Sequence, residues 1–133
     1  MRQGMFRTAA WVMSTLLVAG AVQAQEAPAR QELRRADLSG APGMEVVLSI
    51  TVLKPGDDVG AHLHHGIETG YVLEGGMMQT AGQAPVALAT GTSILNLRDV
   101  PHGGFKVVGD KPIKLLTVHI VDKGKPLYDW VTK

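Results

Sequence analysis

The sequence predicts an all-β domain built as a sandwich or a closed barrel, and three features point there. Turn residues break the chain at short intervals from Glu32 onward, at Ser39-Gly40-Ala41-Pro42-Gly43, Pro55-Gly56-Asp57-Asp58, Gly75-Gly76, Gly82, Gly91, Gly103-Gly104, Gly109-Asp110 and Lys123-Gly124. The segments between these breaks are the size of strands. After the apolar run near the amino terminus, no segment sustains a helical period. Many short strands with glycine-rich turns pack as two sheets or close on themselves. Closure, or pairing with a second copy, covers the edges that an open sheet would expose.

Taken in order, residues 25–31 contain Pro28 and no apolar pattern and read as a flexible lead, with 32–133 as one domain. Met44 to Leu53 is the clearest strand, with Val46, Leu48, Ile50 and Val52 on one parity and Glu45, Ser49 and Thr51 on the other. Further strands are predicted at Tyr71 to Leu73, Met77 to Thr80, Val86 to Leu88, Ser93 to Leu97, Phe105 to Val108 and Ile113 to Val121. There is no internal repeat and no low-complexity tract.

The chemistry is concentrated in two short stretches. Gly56, His62, His64, Glu68 and Gly75 stand in the spacing G-x5-H-x-H-x3-E-x6-G, and His102 follows behind Gly91 and Pro101. His62 and His64 are two apart, so on an extended chain both side chains leave one face and can meet one ion. Glu68 lies past the turn-prone His65-Gly66, with its carboxylate able to aim back inside. His102 must arrive from elsewhere in the sheet. Three neutral imidazoles and a carboxylate suit a borderline divalent ion such as iron, manganese, nickel, copper or zinc, and on a six-coordinate ion they leave positions free for water or substrate. His65, adjacent to His64, is expected to point outward or to support a ligand. His119, set among apolar strand residues, is expected to be a structural, hydrogen-bonded histidine. Met77 and Met78 cannot both face one ion from a strand, so core packing is expected of them. Glu74 is expected to be solvated and Lys106 to reach water from the rim, while Asp99 is placed to orient His102.

Gly56 to Gly75 resembles the first motif of the cupin superfamily at every fixed position. Gly91 to Lys106 resembles the second, G-x5-P-x-G-x2-H-x3-N, with Gly91 and His102 in place and Leu97, Asp99 and Lys106 standing for the usual Pro, Gly and Asn. The resemblance is to the small, single-domain, type-2-like members. It implies a single antiparallel jelly-roll β-barrel with His62, His64, Glu68 and His102 as metal ligands inside, and it implies no one reaction, since a shared fold hosts many chemistries.

The chain has 133 residues, enough for one such domain. Arg2 and Arg7, the mainly apolar run Ala9 to Val22 and the small residue Ala24 have the order of an export signal. The run is shorter than the roughly 20 apolar residues of a spanning helix. The expectation is therefore a signal peptide over 1–24, cleaved after Ala24, and a periplasmic or secreted product with no membrane attachment. Cleavage removes two of the 13 basic side chains and none of the 12 acidic ones, turning a formal charge of +1 into −1. No basic cluster marks a nucleic-acid surface. The absence of cysteine excludes a disulfide and a thiol nucleophile.

Serine-hydrolase, phosphate-cradling and dinucleotide-binding motifs are all missing. The expected function is metal-dependent oxidation, of the dioxygenase type, of a small organic molecule held in the barrel. Met44, Ile50, Val72, Met78 and Phe105 are its candidate wall residues. The alternatives are a non-catalytic module that binds a metal or small ligand, and a metal-dependent lyase, isomerase or decarboxylase. A homodimer is expected, paired through an edge strand or through the aromatic tail at Tyr128 and Trp130. Equally, those two rings could cover the barrel's own rim.

Overall fold

The computed structural model describes residues 29–131; the export signal assigned to 1–24 lies outside the described residues. Among the described residues eleven strands follow one another: β1 (Ala29–Asp37), β2 (Met44–Leu53), β3 (Asp58–Val59), β4 (His62–Leu63), β5 (Gly66–Glu74), β6 (Gly76–Thr80), β7 (Val86–Leu88), β8 (Ser93–Asn96), β9 (Phe105–Val108), β10 (Ile113–Asp122) and β11 (Asp129–Trp130). They form a five-stranded sheet in the order β1-β2-β10-β5-β8, a four-stranded sheet β3-β9-β6-β7 and the pair β11-β4, every pairing antiparallel. The fold is all-β, as the turn spacing predicts, and is the jelly-roll barrel that the family resemblance implies.

The two large sheets are sealed against each other at one end of the barrel. Leu53 and Ile113 from the five-stranded sheet meet Val59 and Val107 from the four-stranded one, with Met78, Leu88, Phe105 and Leu115 packed around them. Burying such side chains is worth about 1.5–3 kcal/mol each. The opposite end is polar inside.

That polarity inverts the expected role of the two parities of β2. Glu45, Val47, Ser49, Thr51 and Leu53 face inward, whereas Val46, Leu48, Ile50 and Val52 are only half-buried on the outer face. The same alternation runs through the partner strand β10, where Ile113, Thr117, His119 and Val121 point inward. Met44 and Ile50, proposed as wall residues, therefore lie on the wrong side of the sheet, and Val72 is buried without lining the cavity. An interior that holds a site needs its polar groups inside, so apolarity alone does not identify the inner face.

β1 is the other departure. It begins at Ala29, inside the segment 25–31 read as a flexible lead, and pairs along β2 from Ala29↔Val52 to Asp37↔Glu45. Edge strands are held chiefly by main-chain pairing and polar contacts, here Arg30 donating to Ser49 Oγ at 2.7 Å and Arg35 ion-paired with buried Glu45. Such a strand carries no apolar alternation to be read.

Candidate metal centre

Two local devices bring the motif residues together. His62 in β4 and His102 form an isolated bridge in which each main-chain N–H donates to the other's carbonyl, at 2.9 and 2.8 Å. Glu68 in β5 sits directly opposite His119 in β10 and Asn96 in β8, so all three project from one line of the inner face. His62 and His64, two apart, both point inward, as their spacing predicts. Gly103 makes the turn behind His102 possible: its φ is +82°, and a Cβ there would lie 2.7 Å from the Gly60 carbonyl and 3.2 Å from His62 Nδ1.

The three imidazoles are tethered in the same way. His62 Nδ1 donates to Gly60 O at 2.8 Å, His102 Nδ1 to Val100 O at 3.0 Å, and His64 Nδ1 to Leu127 O. Each tether fixes the tautomer and leaves a lone pair on Nε2 aimed at the centre, the usual support of a metal-bound histidine. His64 Nε2 lies 3.1 Å from His102 Nε2, and Glu68 Oε2 lies 3.3 Å from both. Separations of this size are those between neighbouring donors on an ion with bonds of about 2.0–2.2 Å. Electron-rich atoms converging without a proton between them fit a cation. His62, His64 and His102 form one candidate ligand group, and His64, Glu68 and His119 another.

Electrostatics keep His62 and Glu68 in ligating form. Burial pushes His62 down to about 4, and the neighbouring imidazoles act in the same direction. Burial works against ionisation of Glu68, but the imidazoles of His102, His119 and His64 clustered around it hold its carboxyl well below the usual carboxylate range. Burial also opposes the charge on His102, which the Glu68 carboxylate nonetheless raises above the ordinary imidazole value.

A cavity of about 210 Å3 opens beside the four residues. His62, Glu68, Asn96, His102 and Tyr128 border it at the polar end, and Leu53, Val59, Met78, Leu88, Phe105 and Leu115 line the remainder. Met78 and Phe105 are thus wall residues as expected, while Met77 is turned outward. Among the described residues no lysine or arginine borders the cavity, and Lys106 is exposed elsewhere on β9.

His65 does point away from the centre, donating from Nδ1 to Asp99 at 2.9 Å and lying 3.2 Å from Asp129 through Nε2. Asp99 therefore engages His65 and not the His102 ring. It stands where the cupin pattern has glycine and keeps the glycine-like conformation, with φ +57°.

Three participants lie outside the predicted donor set, and of these Asn96 escapes sequence reasoning altogether. Asn96 donates to Glu68 Oε2 at 2.7 Å; its only signal is that it shares a parity with Ile94 inside an apolar strand. Tyr128 packs its ring against His62 and His64, at centroid distances of 4.9 and 5.2 Å, and stacks on Trp130 at 5.7 Å. Both rings thus cover the rim of their own barrel, one of the two roles considered for them. Burial pushes the Tyr128 hydroxyl up to about 12, so it stays a hydrogen-bond donor. His119 corrects its expectation. It is fully buried, but neither ring nitrogen has a hydrogen bond among the described residues, and Nε2 stands 3.4 Å from Glu68 Oε1 without hydrogen-bond geometry.

A family model described as "Cupin domain" matches residues 49–119. No curated protein matches the chain. Among solved structures, a conserved protein with a double-stranded β-helix domain from Klebsiella pneumoniae aligns with TM-score 0.59 and 17% identity, over 83% of this chain and 89% of that one. The polyketide cyclase RemF of Streptomyces resistomycificus aligns with TM-score 0.54 and 23% identity, over 91% and 87%. A cupin-2 domain protein of Rhodospirillum rubrum aligns with TM-score 0.52 and 17% identity, over 78% and 65%. At these identities the likeness is one of fold.

Proposed function

We infer the function of this chain from the family to which it belongs, the cupins, and from the donor set inside its barrel. The proposal is that His62, His64, Glu68 and His102 hold one divalent transition metal beside the cavity. The protein is then a metal-dependent oxidoreductase of the dioxygenase type acting on a small organic molecule. The single observation that supports it most is the convergence of His64 Nε2, His102 Nε2 and Glu68 Oε2 within 3.1–3.3 Å of one another. A bound ion would supply Lewis-acid or dioxygen chemistry at that point. The chain's own residues do the rest: Asn96 orients the Glu68 carboxylate, Tyr128 offers a proton donor, and the apolar walls exclude water from the ligand.

A second reading, a binding module without turnover, is favoured by one observation. Among the described residues, Tyr128 is the only titratable side chain bordering the cavity apart from the proposed ligands. Elemental analysis and oxygen uptake separate the readings. The oxidoreductase is expected to consume dioxygen with a phenolic, enolic or carboxylic compound, and to lose both metal and uptake in His62→Ala and His64→Ala. Uptake absent from metal-loaded protein across those compounds would leave the binder, or a lyase, isomerase or decarboxylase where product forms without oxygen. Unchanged ion content in both variants would sink the metal centre itself. Export to the periplasm and assembly as a homodimer belong to the same proposal. The first is supported by the composition of residues 1–24, the second by the apolar outer face of the five-stranded sheet.

A further inference from the structure

Four buried side-chain atoms in the described residues lack a hydrogen-bond partner, and they lie on one continuous strip. They are both ring nitrogens of His119, Thr117 Oγ1 and Thr51 Oγ1. His119 and Thr117 are two apart on β10 and face inward together, and Thr51 projects from the adjoining strand β2 opposite Leu115. Buried polar groups are nearly always satisfied, and leaving one unsatisfied is costly. His119 stands beside the Glu68 carboxylate, whereas the two neighbouring threonines break that rule on one face and call for a common cause.

Their position supplies it. The inner face of the five-stranded sheet is ordered in rows. The first row is His119, Glu68 and Asn96, at the proposed metal centre; the next is Ser49, Thr117, Gly70 and Ile94; the one after is Thr51, Leu115 and Val72. Thr51 and Thr117 both border the cavity, with 4% and 2% of their surface exposed. Beyond them come Leu53, Ile113 and the apolar seal. The cavity is therefore graded, from ion-binding donors, through a band of unpartnered hydroxyls, to hydrocarbon. Ser49, in contrast, is satisfied by Arg30.

We propose that Thr51 and Thr117 form a ligand subsite, and that the molecule bound here is a small uncharged amphiphile. It would place one oxygen at the metal centre, a second hydroxyl or carbonyl oxygen against the two threonines, beyond chelating reach of the first, and an apolar remainder against Leu53, Phe105 and Leu115. Among the described residues the lining has no lysine or arginine to neutralise a charge on that second group. Threonine hydroxyls donate and accept, so either a hydroxyl or a carbonyl satisfies them. The metal-bound end of this assignment rests on the proposed function; the threonine band does not.

Calorimetric titration of zinc-loaded protein with resorcinol and with phenol tests it. The two hydroxyls of resorcinol are too far apart to chelate one ion, and phenol lacks the second. Wild type is expected to bind resorcinol about 3- to 10-fold more tightly than phenol, the worth of one ordinary hydrogen bond. Thr51→Val with Thr117→Val should abolish the preference and leave phenol unchanged, and Thr51→Ser with Thr117→Ser should keep it. Thermal unfolding should show no loss of stability for Thr117→Val, whose hydroxyl has no partner, and at most a small one for Thr51→Val, whose hydroxyl lies near that of Tyr128. Equal binding of the two probes to wild type, or a preference that survives in the valine variant, would overturn the subsite. If wild type fails to retain zinc, the metal centre falls. The same titrations on metal-free protein then decide the threonine band alone: a preference lost with valine supports it, and no preference overturns it.

Discussion

Glu68 is gripped by its cross-strand neighbours. Asn96 holds Oε2 at 2.7 Å from β8, and His119 stands by Oε1 at 3.4 Å from β10. Removing such a support to a ligand commonly lowers metal affinity by about 10- to 100-fold. Asn96→Ala is expected to fall in that range in a competition titration with a chelator; an unchanged affinity would show that Glu68 needs no help or is not a ligand. His62 gives a pH signature. With its folded value near 4, against an ordinary 6.5, the native protein refuses a proton that the unfolded chain accepts in that window. The unfolded state therefore binds more protons there, and stability falls as pH drops from about 6.5 to 4. His102, shifted upward, works in the opposite sense, so the comparison must isolate His62. The unfolding free energy of metal-free wild type minus that of His62→Gln should shrink between pH 7 and pH 4.5. A constant difference would contradict the buried neutral imidazole. Of these residues, His62, His64, Glu68 and His102 are legible in the chain because their motif spacing sets them on facing positions. Asn96 and His119 are not, because they meet Glu68 only through strand register.

Among the elements, the short β11 has an effect out of proportion to its two residues. The segment leading into it gives the Leu127 carbonyl that tethers His64 and the Tyr128 ring that packs on His62. Trp130 then pairs with His62 across β4, and the Val131 N–H donates to Ala61 O at 2.9 Å. Ending the chain after Pro126 should therefore lower both the thermal midpoint and the retention of metal in dialysis, whereas a strap without a role at the centre would alter the midpoint alone. Gly103 is the second local constraint. Gly103→Ala must hold φ at +82° and press a Cβ towards the Gly60 carbonyl, which should cost about 1–3 kcal/mol in urea unfolding. A neutral result would mean that the turn shifts freely. The long strands β2 and β10 were readable from their residues and turns. β1 and β11 were not, since the first is a polar edge and the second is stabilised by what it covers. Asp99 shows the intermediate case: the motif position demands a left-handed residue, and the structure has one with a side chain where glycine is usual.

Seen whole, the barrel carries an apolar outer face on its five-stranded sheet. Val46, Leu48, Ile50, Leu116, Val118 and Ile120 are half-buried there, and Ile67, Tyr71, Leu73 and Leu95 stand 39%, 49%, 37% and 64% exposed. The registers Thr69↔Leu95 and Tyr71↔Leu116 put them on one side. Contiguous apolar surface of this kind marks contact with another molecule, and a second copy is the occupant proposed above. Light scattering is expected to give a dimer for wild type and a monomer for Tyr71→Lys combined with Leu95→Lys. A wild-type monomer would remove the proposal. The place of folding matters as well. If export proceeds unfolded, the site fills outside the cytoplasm, where the affinity order favours copper and zinc over manganese and iron. Protein recovered from the periplasm should then carry more zinc or copper than a copy made in the cytoplasm, and identical elemental content would argue against it.

By itself the sequence determined the fold class, the strand-sized segments and four converging donors, because turn chemistry and ligand spacing are local properties written along the chain. Which face of β2 is inside, how Asn96, His119 and Tyr128 meet the centre, and where two threonines are left without partners were decided only by tertiary structure. Those facts depend on register between strands far apart in sequence, and register is set by the closure of the whole barrel.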